Sequence, residues 1–214
     1  MSDSLLALAE SHASMLANRL RKRARHLQRW AAREGTTAYR IYARDIPEVP
    51  LYIDRYNERI VVSWLIPREL RDYDEAPTSH PWMAAMLSAI RETFSLDEDQ
   101  IFTRTRRPTR SGVQYDRVNA REVQELVEEH GLTFRVNLSD YVDTGLFLDH
   151  RPTRRRVRES ASGRRVLNLF GYTGAFAVHA AAGGARETLS LDLSPHYTPP
   201  IRQCHLPQRH GLND

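Results

Sequence analysis

Several things are scarce in this 214-residue sequence, and each scarcity excludes a class of protein. Cys204 is the one cysteine, so no disulfide can form within the chain, and a reducing, cytoplasmic compartment suits it. No apolar run approaches the roughly 18 residues that a membrane-spanning helix needs. No segment has the charged-then-apolar layout of a secretory signal. Lysine is nearly absent, with Lys22 alone among 31 basic residues. Arginine offers a planar fork of donors suited to phosphate, although a bias toward arginine codons gives the same skew. Acids are missing from residues 11–33, which carry seven cations and leave −3 for the rest of a chain whose net charge is +4. The basicity is therefore local, as on a docking surface for a polyanion. What remains, 41% hydrophobic and 27% charged, is ordinary for a globular chain with a buried core.

The spacing of Leu16, Leu20, Ala24, Leu27 and Trp30/Ala31 predicts an amphipathic helix over 13–33, with arginines on its other faces. Three readings stay open for it: a solvated helix packed on its domain, a helix that contacts RNA, and a mitochondrial presequence, against which Asp3 and Glu10 weigh. Residues 38–66 predict three short strands, around Tyr39–Ile41, Val49–Ile53 and the β-branched run Ile60–Ile66, with turn material at 45–50. Pro81 suits the first position of a helix whose buried stripe is Trp82, Met83, Met86, Leu87, Ile90 and Phe94. A strand follows at 101–105, then a basic loop with Arg104, Arg106, Arg107 and Arg110. Residues 121–130 have helical propensity, yet Phe134, Val136 and Leu138 alternate; a hairpin turning at His130-Gly131 is the preferred reading. Residues 151–165 hold seven arginines and one acid, and predict a helix and a short loop leading to a new strand.

The most informative stretch runs from Arg165 to Asp192. Val166–Phe170 is a short apolar strand, Gly171-Tyr-Thr-Gly174 a tight loop, Ala175–Ala182 a helix ended by Gly183-Gly184, and Thr188–Leu191 a second strand closing on Asp192. This is half of a nucleotide-binding α/β unit. Gly171 and Gly174 let the backbone turn sharply and approach a ligand, and the helix start presents N–H groups suited to a carboxylate. A carboxylate at Asp192 can accept hydrogen bonds from both hydroxyls of a ribose. The spacing Gly171-x-x-Gly174 does not fit the G-x-G-x-x-G of a dinucleotide site.

Residues 167–176, Leu-Asn-Leu-Phe-Gly-Tyr-Thr-Gly-Ala-Phe, resemble the first motif of class I S-adenosylmethionine methyltransferases. Val136–Arg151 is similar to the motif that precedes it in the branch modifying bacterial large-subunit ribosomal RNA. Asn18–Lys22, Asn57–Val62 and Gly112–Tyr115 support that likeness. The nearest resemblance is to the C-terminal guanine-N7 methyltransferase half of the bifunctional 23S ribosomal RNA methyltransferases, over roughly residues 15–194. It implies an α/β fold: an N-terminal α+β subdomain for RNA or substrate over 15–150, after a disordered 1–14, and the start of a Rossmann-like cofactor domain over 151–194. It further implies that Asn168, Phe170, Gly171, Tyr172, Thr173 and Gly174 line the methionine end of S-adenosylmethionine, that Asp192 holds the ribose with Ser194 beside it, and that Phe147, Asp149 and Arg151 close over the pocket. RNA contacts fall to Arg19, Lys22, Arg23, Arg29, Arg106, Arg107 and Arg155.

Past Ser194 the likeness fails. Pro199, Pro200 and Pro207 break the helix that the family implies there, at about 3 kcal/mol for each helix-interior proline. A reading-frame slip near residue 195 or a truncated gene accounts for the 195–214 tail, and the chain is then expected to be catalytically incomplete. No Asp-Pro-Pro segment of the kind that grips the base follows, so no catalytic residue is assigned. Two other readings stay open: a cytosine-C5 methyltransferase of the same branch, whose chemistry needs a cysteine while Cys204 lies in the tail, and a non-catalytic RNA-binding fragment. Cys204, His205 and His210 match no standard zinc spacing, and His150 and His179 are read as packing residues. A separate chain carrying the other half of the bifunctional enzyme is compatible with where the resemblance starts.

Overall fold

A computed structural model describes residues 3–67, 70, 76–106 and 121–193. The chain divides into two compact units, Met1–Thr144 and Gly145–Asp214. The division falls a few residues ahead of the boundary expected near 150.

The N-terminal unit begins with helix α1 (Asp3–Arg33). It starts well before residue 13, so positions 3–14, expected to be disordered, form its first turns. Strands β1 (Ala38–Ala43), β2 (Leu51–Tyr56) and β3 (Arg59–Leu65) form an antiparallel meander, and β4 (Ile101–Arg106) joins β3 in parallel after helix α2 (Pro81–Phe94). Ile53 stands opposite Val62, and Val61 opposite Phe102. A parallel neighbour requires a crossover, which α2 supplies. Pro81 sits in its first turn, where its missing N–H costs nothing. Leu16 and Leu20 of α1 and Met83, Met86 and Ile90 of α2 share one core with Ile41, Ile53, Val62 and Trp64 of the sheet, each essentially inaccessible to solvent. The Trp82 indole N–H donates to Nδ1 of His12 at 3.0 Å, which ties the early turns of α1 to α2.

Strands β5 (Gln124–Glu129) and β6 (Leu132–Asn137) form the expected hairpin. His130 (φ 53°) and Gly131 (φ 75°) are both left-handed, as a two-residue turn matched to strand twist demands. The helical propensity of 121–130 yields to Val127, Phe134 and Val136, which the hairpin buries and a helix would not align. Backbone bonds Thr37 N–H to Glu128 O (3.0 Å) and His130 N–H to Gly35 O (2.8 Å) join the hairpin to the segment after α1.

The C-terminal unit is α3 (Arg151–Ser160), β7 (Arg165–Leu169), α4 (Ala175–Ala182) and β8 (Glu187–Leu191), with β7 and β8 parallel and Asn168 opposite Ser190. This is the expected strand–helix–strand order. One feature of its packing was invisible in the pattern. α3 carries only Val157 as a large apolar residue, and its buried face is made by Arg151 and Arg154. Long cationic side chains can bury their methylene stems while the head finds acceptors. A Cβ on Gly183 would land on the carbonyl of Arg158, so the end of α4 touches the backbone of α3 and only glycine fits there.

Candidate functional site

The loop between β7 and α4 is shaped by three left-handed residues, Phe170 (φ 56°), Tyr172 (φ 48°) and Gly174 (φ 78°). Gly174 thus has the freedom expected of it. Gly171 does not take a positive φ, and what it supplies is room. A Cβ there would stand 3.2 Å from the Cβ of Ser190 and 3.3 Å from Nδ2 of Asn168. Its N–H donates to Leu191 O at 2.9 Å, so the loop lies directly on the ends of both strands. Two side chains in a conformation that L-residues disfavour are the kind of local strain that surrounding contacts must hold in place.

Those contacts are specific. The carboxylate of Asp192, at the tip of β8, accepts a hydrogen bond from the Tyr172 N–H at 2.8 Å. The Thr173 hydroxyl donates to the carbonyl of Gly145 at 2.6 Å. Asn168 donates from Nδ2 to the Ser190 hydroxyl at 3.3 Å, crossing from β7 to β8 beneath the loop. Phe147 lies against Tyr172 with ring centroids 5.2 Å apart, and His150 bridges Phe147 (5.7 Å) and Phe176 (5.9 Å). An aromatic wall therefore runs from the segment before α3 to the first turn of α4. Sequence reasoning placed Phe147 beside the loop but missed Gly145 and Phe176. It also missed Arg154, which is 1% exposed and donates from Nη1 to the carbonyl of Phe147 at 2.8 Å. The spacing of Arg151 and Arg154 on a helix otherwise short of apolar residues is the signal that marks them.

The structure brings together Asn168, Gly171, Tyr172, Thr173, Gly174, Asp192 and Phe147. Phe170 heads the loop with its ring outward, 79% exposed. Asp149 is exposed on the 3₁₀ turn Leu148–His150. Arg151 is buried at the start of α3. Ser194 and Arg107 lie outside the described residues, as do Gly112–Tyr115 and the tail with Cys204, His205 and His210. Among the described residues no cluster of His, Cys, Asp or Glu has the makings of a metal site, and no helix is long and apolar enough to cross a membrane.

The remaining expected RNA contacts have differing surroundings. Arg19 and Arg23 both bind Oδ2 of Asp45, at 2.8 and 2.7 Å, whereas Lys22 and Arg29 are exposed. Arg106 pairs with Asp143 at 2.8 Å and Arg155 with Glu159 at 3.0 Å. Arg104 is buried and donates to the carbonyls of Asn137 (3.0 Å) and Val142 (2.8 Å), holding the first half of the 136–151 motif. Burial lowers the pKa of its guanidinium, against the opposing pull of Tyr56 and Asp143.

A glycine loop seated on two parallel strands, an acid at the second strand tip and an aromatic wall match the donor set of an adenosine pocket. Residues 91–213 match the model of the S-adenosylmethionine-dependent methyltransferase family. The chain belongs to that family. S-adenosylmethionine is the cofactor of its members, and the fold is the Rossmann-like one. Among curated relatives, the chain is 42% identical over 185 residues to the ribosomal RNA large subunit methyltransferase K/L of Alcanivorax borkumensis, covering 86% of the chain and 26% of the relative. It is 42% identical over 191 residues to the protein of the same name from Magnetococcus marinus, covering 89% and 26%. The chain thus spans about a quarter of the length of these relatives. Among solved structures, a putative SAM-dependent methyltransferase from Streptococcus mutans superposes with a TM-score of 0.67 at 27% identity, over 90% of this chain and 48% of that one. A putative methyltransferase complexed with SAH gives 0.66 at 27% identity, over 89% and 47%.

Proposed function

We propose that this chain is part of an enzyme that transfers the methyl group of S-adenosylmethionine to N7 of a guanine in 23S ribosomal RNA. The observation that carries the reading is the seat formed where Asp192 holds Tyr172 and Gly171 rests on the ends of β7 and β8. The names of the curated relatives support ribosomal RNA as the substrate. That substrate would place the protein in the cytoplasm.

In this reading Asp192 binds the ribose hydroxyls, with Ser194 beside it. Asn168, Phe170, Gly171, Tyr172, Thr173 and Gly174 border the methionine end. Phe147 and Asp149 cover the pocket, and Arg151 stiffens the segment that carries them. The bound sulfonium supplies an electrophilic methyl group. Guanine N7 has a lone pair without losing a proton, so the protein is asked for orientation more than for acid–base help. Asn168 contributes a neutral amide at the end of β7, which leaves Asp192 as the acid of the seat.

Calorimetry with S-adenosylhomocysteine tests the assignment. Wild type should bind, and Asp192→Ala should bind at least about tenfold more weakly, the loss of one or two charge-assisted hydrogen bonds. Asp192→Asn keeps an oxygen for the Tyr172 N–H while removing the charge, so it separates loop support from ribose binding. Equal affinity in all three proteins removes the assignment. Transfer of a labelled methyl group to undermodified 23S RNA, followed by mapping of the modified base, tests the substrate and position.

A further inference from the structure

The cations of α1 fall into two sets that the structure separates. Arg19 and Arg23 converge on one carboxylate oxygen of Asp45, whose side chain is 10% exposed. They are part of the internal bracing of the N-terminal unit. The second set is Arg21, Arg25, Arg29 and Arg33, one at every fourth residue, with Lys22 beside them. At 100° and 1.5 Å per residue, this row drifts by about 40° and climbs about 6 Å per step, so it forms a ridge over an arc of about 120°. The ridge lies opposite Leu16, Leu20, Leu27 and Ala31, which face the core. All five cations are exposed, and among the described residues none of them forms an ion pair.

Such a row is unfavourable in isolation. Like charges four apart on a helix repel, and no acid within residues 11–33 relieves them. The two paired arginines show that an acid is supplied where the fold needs one. The unpaired row suits an external polyanion whose charges repeat along a line. A membrane is the poorer match: an interfacial helix turns its apolar face to lipid, and here Leu16 and Leu20 are fully buried in protein.

We propose that Arg21, Arg25, Arg29 and Arg33 form a phosphate-binding ridge for RNA, and that Arg19 and Arg23 orient it through Asp45 without touching nucleic acid. This rests on the reading of the substrate as ribosomal RNA, and it moves the contact set away from Arg19 and Arg23. The row follows a backbone and leaves the bases unread, so its contribution is sequence-independent and steep in salt.

The test uses the full chain and a fluorescein-labelled oligoribonucleotide, with affinity measured by anisotropy across a salt series. Replacing all four ridge arginines by glutamine, a good helix former, should weaken binding at least tenfold and make the log–log salt slope shallower by about 3, near the 0.7 expected per lost phosphate contact. Replacing all four by lysine should preserve the slope. Arg19→Gln with Arg23→Gln should lower the melting temperature and leave the slope unchanged. An unchanged slope in the glutamine variant overturns the ridge. So does an equal loss of slope in the Arg19/Arg23 variant at unaltered helicity, or binding to phosphatidylglycerol vesicles as tight as to RNA. Calorimetry with S-adenosylhomocysteine on the same proteins keeps the two readings apart: cofactor binding retained in the glutamine variant while its RNA binding falls supports the ridge, and cofactor binding by the wild-type chain without any RNA binding sinks the ridge and spares the methyltransferase site.

Discussion

The two units treat the apolar residues of their strands in opposite ways. In β3 every residue from Ile60 to Trp64 is buried, with Ile60, Val62 and Trp64 in the core shared with the helices. In β7 and β8 the leucines at 167, 169, 189 and 191 are each more than half exposed, while Val166, Asn168, Thr188 and Ser190 on the opposite face are partly covered. β3 is the more apolar strand, but β7 and β8 still carry Val166 and four leucines, and what leaves those leucines exposed is how few elements pack on their sheet. A two-stranded sheet backed by α4, with α3 packed on α4 in turn, covers one face only, and among the described residues the leucines of the other face stay more than half exposed. An apolar strand pattern therefore states a demand for burial, which neighbouring elements must meet.

The contrast can be broken or sharpened by substitutions. The largest effect should come from Trp64→Ala, which empties a fully buried site and should cost about 3–5 kcal/mol in urea unfolding of the N-terminal unit. Gly183→Ala should follow, at about 1–3 kcal/mol, because a methyl group there collides with the α3 backbone. Hydrogen exchange should show that loss in α3 and α4 with the N-terminal sheet unaffected; protection retained in both helices would disprove the contact. Asp45→Asn should cost about 1–2 kcal/mol, since both partner arginines are partly solvated. Burial pushes the Asp45 carboxyl up, but the hydrogen bonds from Arg19 and Arg23 outweigh it, and the net pKa is lowered. A lowered folded pKa contributes stability above the ordinary carboxylate value of about 4, and that contribution is lost as pH falls through the folded value. The gap between wild type and Asp45→Asn, followed by thermal melts, should be constant near neutrality and close below about pH 4. Smallest of all, Leu189→Thr should change stability by less than about 1 kcal/mol, because the side chain is already half in water. Its visible consequence should be less self-association in sedimentation, and a loss as large as that of a core leucine would show the face to be covered.

Most elements were legible because they depend on local pattern. The stripe of α2, the alternation of β6, and the loop–helix–strand order after Val166 are written in consecutive residues, and each appears within a residue or two of its expected bounds. Asp192 was recognisable for the same reason, as the acid at a strand end. What escaped depends on contacts between distant positions. The pairing of Arg19 and Arg23 with Asp45, the burial of Arg154, and the intolerance of a side chain at Gly183 each need a partner that no periodicity announces. Glycine content likewise pointed to Gly171 and Gly174; Gly174 does take the left-handed backbone, but so do Phe170 and Tyr172, which no glycine announces.

The turn at 170–174 also bears on how affinity would be generated. With Tyr172 tethered to Asp192 and Thr173 to Gly145, the loop has its shape before any ligand arrives. A ligand meeting a rigid receptor forgoes the entropy loss of ordering it. Severing the Thr173 tether should therefore weaken association, with part of the missing free energy appearing as a less favourable binding entropy.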